Sequence, residues 1–197
     1  IAPECNNHVY GIVLDSRDVP SYASAINQIK DMEGKIDILV NNAGVLGGNI
    51  SDATEVEYNN ILDTNLKSVF FLSQMIGKYM KEEQIKGNIL NIASSSSLRP
   101  ASSAYTISKW GIRGLTLGLA KCLAPYDITV NGIAPGPTAT PMLMKEGQNN
   151  ITHSGLPVGR YALPEEIANM ALFLVSDMGK MIVGDIVAVY VDTAAKD

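Results

Sequence analysis

Cysteine is nearly absent: Cys5 and Cys122 are the only two in 197 residues. Two thiols so far apart supply neither a disulfide framework nor a thiolate metal site, and they suit a reducing compartment, the cytoplasm. Histidine is equally scarce, and His8 and His153 have no partners at metal-ligand spacing, so no metal is expected. No apolar run reaches the roughly 18–20 residues that a membrane span requires. Clustered Lys and Arg are missing too; the net charge is −5, which argues against a nucleic-acid surface. There is no internal repeat, and the opening IAPECNN is not a signal peptide. Asn49-Ile50-Ser51 and Asn150-Ile151-Thr152 match glycosylation sequons, but without a secretory signal they read as chance matches.

What is present is an ordinary globular composition, 46% hydrophobic and 18% charged, sized for one domain spanning residues 1–197. Strand patterns fall at His8–Asp15, Ile36–Val40, Asn88–Ala93, Ile128–Ala134 and Ile186–Val191. Helical patterns fall at Pro20–Glu33, Thr54–Glu83, Ala104–Ala124 and Pro164–Asp177. Strand and helix alternate, which predicts an α/β fold: a doubly wound, Rossmann-like parallel sheet in three α/β/α layers. The nearly continuous apolar run of Ile36–Val40 predicts a strand buried on both faces. Residues 138–158 lack firm periodicity and read as a mobile, substrate-side segment, with a short helix expected at Met142–Glu146.

In such sheets ligands bind beyond the carboxyl ends of the strands. Asp15, Asn41-Asn42-Ala43-Gly44, Ser94 and Pro135-Gly136 all stand at predicted strand ends. The stretch Asn88–Trp110 is the richest in chemistry. It joins a strand to a serine cluster (Ser94–Ser97) and then to Tyr105 and Lys109 on the next helix. Residues four apart on a helix share a face. Tyrosine, with an ordinary pKa of about 10, needs help to move a proton near neutrality. A cation roughly 5 Å away, at an effective dielectric near 20, supplies about 3 kcal/mol, or some two pKa units. Lys109 is spaced to supply it.

Taken in order, Asn41-Asn42-Ala43-Gly44, Asn65 in DTNLKSVFF, the serines, Tyr105-x-x-x-Lys109 and Pro135-Gly136 resemble the short-chain dehydrogenase/reductase family over about Val9 to Val191. The resemblance implies an NAD(P)-dependent oxidoreductase that interconverts a secondary alcohol and a ketone, either a 3-oxoacyl thioester or a sugar or polyol. By it Tyr105 is the acid/base, Lys109 lowers its pKa and binds the nicotinamide ribose, and Ser94, with Ser95 as the alternative, polarises the carbonyl. Asn65 anchors a water in a proton relay. Asn42, Ala43 and Gly44 line the adenosine pocket and Asp15 meets the adenine. Pro135, Gly136, Thr138 and Thr140 surround the nicotinamide. The two long helices resemble the pair by which relatives form oligomers, so a dimer or tetramer is expected. The alternative is a non-catalytic nucleotide-binding or scaffold member of the fold, or an inactive fragment.

One family element has no counterpart. A glycine-rich turn of the TGxxxGxG type does not occur before Val9, and only eight residues stand there. The chain, starting at Ile1, is therefore expected to be part of a longer protein, with two strands due between the Val9–Leu14 and Ile36–Val40 strands. The cofactor, NAD or NADP, is not distinguished by these residues.

Overall fold

A computed structural model describes residues 9–144 and 150–190. Its elements run α1 (Tyr22–Glu33), β1 (Ile38–Asn41), α2 (Glu55–Leu62), α3 (Ser68–Glu82), β2 (Asn88–Ile92), α4 (Ala104–Leu123), β3 (Thr129–Pro135), α5 (Pro164–Val175) and β4 (Ile186–Val189). The four strands form one parallel sheet in the order β1-β2-β3-β4. Each crossover carries helix, as parallel pairing demands. This is the expected α/β architecture.

The two faces of the sheet are covered differently. Ile89 and Val130 pack with Ile26, Ile76, Met80, Ala120 and Leu123 of α1, α3 and α4. On the opposite face of the pleat, one residue on in β2 and three on in β3, Leu90 and Ile133 meet Leu174 of α5. Helix α5 contacts β2 and β3. That explains a correction to the reading of Ile36–Val40. The strand is Ile38–Asn41, and Val40, beside Leu90 in register, lies on the α5 side where α5 does not reach. Val40 is 47% exposed and Ile38 43%, so this strand is not buried on both faces.

A second correction concerns His8–Asp15. From Val9 to Asp15 there is no strand and no pairing with β1, and His8 lies outside the described residues. Apolar content alone does not make a strand; the backbone groups need a partner. Val13 is fully exposed, and the run ends in a turn at Ser16–Arg17.

Thr54–Glu83 is one helical path, but not a uniform one. Thr54 caps it, accepting from the Glu57 N–H at 3.2 Å. At Asp63–Lys67 it widens into a π turn, with the Ser68 N–H bonded to the Asp63 carbonyl. Such a bulge adds a residue to one turn and redirects the side chains within it. Asn65 sits inside it and is buried. The 138–158 segment carries isolated bridges, Thr138 with Ala162 and Thr152 with Arg160. The expected helix at Met142–Glu146 is a turn through Leu143, and residues 145–149 lie outside the described residues, as does Val191.

The strand ends are locked by a buried polar chain. Asn41 Nδ2 donates to Asn91 Oδ1 at 2.8 Å and Ser73 Oγ at 2.9 Å, and Asn91 Nδ2 donates to Thr116 Oγ1 at 2.9 Å. The Thr116 hydroxyl donates in turn to the Ile112 carbonyl. Buried polar groups are tolerated when fully paired, and these fix β1, β2, α3 and α4 relative to one another just below the site.

Candidate active site

Beyond the carboxyl ends of β1, β2 and β3 lies a cavity of about 610 Å³. Nine of the residues singled out in the sequence line it: Asn42, Gly44, Ser94, Tyr105, Lys109, Pro135, Gly136, Thr138 and Thr140. Its size falls within the range of cofactor and substrate pockets.

Each catalytic candidate is placed by a local device. Tyr105 is the second residue of α4, whose cap, the Ser103 hydroxyl, accepts from the Thr106 N–H at 3.1 Å. Ser94 ends the segment after β2 and caps a short 3-10 turn, accepting from the Ser96 N–H at 3.1 Å. With that lone pair engaged, its own proton is available to Tyr105, with which it is hydrogen-bonded. Ser95 also lines the cavity, and Ser97 donates to the Ser94 carbonyl, a loop-bracing role. Ser94 is the serine in contact with the tyrosine.

Lys109 stands one turn along α4, 5% exposed, its Nζ donating to the Ile92 carbonyl at 2.8 Å and lying 5.7 Å from the centre of the Tyr105 ring. Burial pulls the lysine down to about 8. The expectation that Lys109 depresses the tyrosine is not what the protein's own groups produce. Burial raises the Tyr105 hydroxyl above its ordinary value, and the Ser94 hydrogen bond opposes this only in part. The reason is geometric: Tyr105 loses water on entering the cavity, while the lysine's ammonium is committed to a backbone carbonyl. Tyr105 is thus held in its acid form through neutral pH.

Three candidates lie elsewhere. Asn65 is behind the cavity wall: its Oδ1 accepts from the Val45 N–H at 2.8 Å, and its Nδ2 donates to the Val45 carbonyl and Ser108 Oγ. Its side chain grips the loop after β1 and does not open into the cavity. Ala43 is exposed and does not line it. Asp15 is not brought to the site at all. Its carboxylate is held by Arg17 at 2.8 and 3.0 Å, which keeps its pKa low, at about 2, and Arg17 also reaches Asn60. A guanidinium two residues away captures the acid.

The sequence reading missed the apolar wall. Leu46, Ile92, Met142, Leu143 and Ile167 all line the cavity, with Pro164 at the start of α5. Gly136 has a packing reason of its own, since a side chain there would strike Tyr190, with a Cβ only 2.4 Å from the Tyr190 Cβ.

The donor set suits a nicotinamide riboside. A buried amine and a phenol match vicinal ribose hydroxyls, while Thr138 and Thr140 beside Pro135 and Ile92 match a flat ring carrying a carboxamide. Gly44 keeps this floor narrow; a Cβ there would lie 3.5 Å from Asn65 Oδ1 and 3.7 Å from Lys109 Nζ.

Comparison with known proteins agrees with this chemistry. A family model described as enoyl-(acyl carrier protein) reductase matches residues 1–192. A 3alpha-hydroxysteroid dehydrogenase from Mediterraneibacter gnavus is 40% identical over 190 residues, covering 91% of this chain and 73% of that protein. A crystal structure of a short chain dehydrogenase from Bacillus anthracis superposes with a TM-score of 0.83 at 31% identity, covering 94% of this chain and 75% of the other. The structure of ElxO with NADP bound superposes at 0.81 with 30% identity, covering 89% and 74%.

Proposed function

The chain belongs to the short-chain dehydrogenase/reductase family, and from that premise we propose how its own residues carry out the reaction. It is an NAD(P)-dependent oxidoreductase acting between a secondary alcohol and a ketone. The contact between the Tyr105 and Ser94 hydroxyls, in a cavity floored by buried Lys109, is the observation that carries the reading.

The residues form a single dinucleotide-binding domain. Lys109 and Tyr105 hold the nicotinamide ribose, Thr138 and Thr140 the carboxamide, and Pro135 and Gly136 the ring. Asn42, Ala43 and Gly44 lead toward the adenosine. A bound nicotinamide supplies or accepts a hydride at its C4 carbon. Ser94 donates a hydrogen bond to the substrate oxygen, and Tyr105 gives it the proton in reduction and takes it back in oxidation. Two donors aimed at one oxygen stabilise the negative charge that develops there. The raised pKa of Tyr105 favours its role as the acid. Lys109 Nζ, through the Ile92 carbonyl, fixes the end of β2 against α4. Asn65 acts from behind, holding Val45 and Ser108.

The apolar wall of Leu46, Ile92, Met142, Leu143 and Ile167 favours a ketone with a bulky hydrocarbon portion over a polyol. A hydroxysteroid or a long 3-oxoacyl thioester fits that requirement. Paired titrations with NADH and NADPH, each followed by nucleotide fluorescence, should reveal saturable binding of at least one. A steroid ketone and a 3-oxoacyl thioester should then be reduced faster than a ketose. Faster reduction of the ketose would overturn the substrate reading, and no binding of either nucleotide would overturn the function.

A homo-oligomer is part of the same proposal. Ile107, Trp110 and Leu117 form an exposed stripe on α4, interrupted by Gly114, where a side chain would meet open space. Phe70 of α3 is 44% exposed. None of the described helices is long and apolar enough to cross a membrane. Cytoplasmic residence is supported by Cys122, which is free and exposed.

A further inference from the structure

We propose that Glu57 is a positioning residue for Tyr105, acting through a hydrogen-bonded clip formed by the loop after β1. The inference rests on the reading of Tyr105 as the proton-transferring group.

Thr54-Glu55-Val56-Glu57 has the form of a capping box, in which the third helical residue's carboxylate reaches back to the N–H of the cap. Within this chain α5 shows that geometry: Glu166 accepts from the Leu163 N–H at 2.7 Å. At α2 only half of the box is made. Thr54 Oγ1 accepts from the Glu57 N–H, but the Glu57 carboxylate turns away and accepts from the Gly48 N–H at 2.7 Å. The helix forgoes its own capping bond for one to a loop.

That loop leads directly to the catalytic helix. The Gly48 carbonyl accepts from the Ala104 N–H at 2.7 Å, and the Ile50 N–H donates to the Ser102 carbonyl at 2.9 Å. Asn49 and Ser103 form an antiparallel bridge between these bonds. Ala104 is the first residue of α4 and Tyr105 the second. Gly48 therefore satisfies one of the N–H groups that a helix start leaves without an internal partner.

Glycine is required at the hinge of this clip. Gly48 has φ of +69°, and a Cβ on it would come within 2.7 Å of the Ala104 Cβ and 2.9 Å of the Ile61 Cδ1. Glu57, Ile61 and Asn65 recur every fourth residue along one path, and all three touch the loop: Glu57 at Gly48, Ile61 beneath it, Asn65 at Val45. Among the described residues, Leu46, between the two grips, and Tyr105 are the only ones lining both the reaction cavity and the neighbouring 570 Å³ recess. Holding Gly48 thus sets two walls of the site at once. Misplacement of a catalytic group by about 1 Å can cost a hundredfold in rate.

Glu57→Asp and Glu57→Gln test this together. Aspartate keeps the charge but is one methylene too short to reach Gly48; glutamine loses the charge but keeps an acceptor oxygen at full length. For ketone reduction, Glu57→Asp is expected to lower kcat by about tenfold to a hundredfold, with nucleotide affinity within about twofold of wild type. Glu57→Gln should stay within about threefold of wild type on both. Amide exchange measured on the same variants should rise at Gly48 and Ala104 in Glu57→Asp by about tenfold and stay near wild type in Glu57→Gln. An aspartate variant with wild-type turnover and exchange overturns the proposal. So does a glutamine variant that loses as much as aspartate, which would assign the effect to charge. If Glu57→Asp fails to fold, Glu57→Gln decides alone by keeping or losing wild-type turnover and exchange. A wild-type protein that binds nucleotide but reduces no ketone sinks the function reading instead, and the exchange measurement still tests the clip.

Discussion

Replacing Tyr105 with Phe is expected to cut ketone reduction about a thousandfold while lowering nucleotide affinity by no more than about tenfold, the worth of the one neutral hydrogen bond it gives the ribose. The substitution removes one oxygen and keeps the ring, so packing at the start of α4 is preserved. The hydroxyl is the group hydrogen-bonded to Ser94, and among the described residues no other side chain lining the cavity can take its place as the acid. Ser94 holds its proton too tightly, and Lys109 is committed to the Ile92 carbonyl. Stability should change little, because the loss is one hydrogen bond worth about 1 kcal/mol. Steady-state kinetics beside a fluorescence titration separate the two quantities. Equal losses in rate and nucleotide affinity would assign Tyr105 to binding rather than proton transfer.

Lys109→Met should be nearly as damaging and differ in kind. A buried ammonium that hydrogen-bonds a sugar hydroxyl contributes about 1.5–3 kcal/mol, so nucleotide affinity should fall roughly tenfold to a hundredfold along with turnover. The wild-type pH profile carries the signature of the same residue. Lys109 is charged below its pKa of about 8 and neutral above it, so reduction should fall as the pH rises through about 8. Tyr105, raised by burial, keeps its proton beyond that point and cannot be the source of this limb. In Lys109→Arg the limb should move upward, since guanidinium does not titrate in this range. An unmoved limb would assign it to another group. Linkage runs the opposite way for folding: the lysine's folded pKa lies below its free value of 10.5, so it costs stability at neutral pH, a cost relieved between about 8 and 10.5.

Much of this site was legible in the sequence because it is built on strand ends and one helix. A strand that stops at Ile92, a serine at Ser94 and a Tyr/Lys pair one turn apart fix their own relative positions once the sheet is parallel. Helix starts were legible for the same local reason: the helical patterns begin at Thr54 and Ala104, and in the structure Thr54 and Ser103 cap those two helices. What failed depends on partners that local pattern cannot name. Val9–Leu14 reads as a strand but pairs with none of the described strands, and Val40 reads as buried but lies beyond the reach of α5. Asp15 reads as a ligand for adenine, yet Arg17 claims it. Lys109 reads as the group that acidifies Tyr105, but spacing along a helix carries no information about burial, which dominates both pKa values. The T-x-x-E pattern at Thr54 is visible in the sequence; that its carboxylate serves Gly48 is not.

The central claim is that Tyr105, Ser94 and Lys109 form a centre for reversible reduction of a ketone. Its most direct test uses reduced nicotinamide nucleotide carrying two deuteriums at C4 with a prochiral ketone, followed by mass spectrometry of the alcohol formed. One deuterium on the carbinol carbon is expected with wild-type protein, and only trace alcohol with Tyr105→Phe. Alcohol without deuterium, or equal deuterated product from Tyr105→Phe, would contradict it.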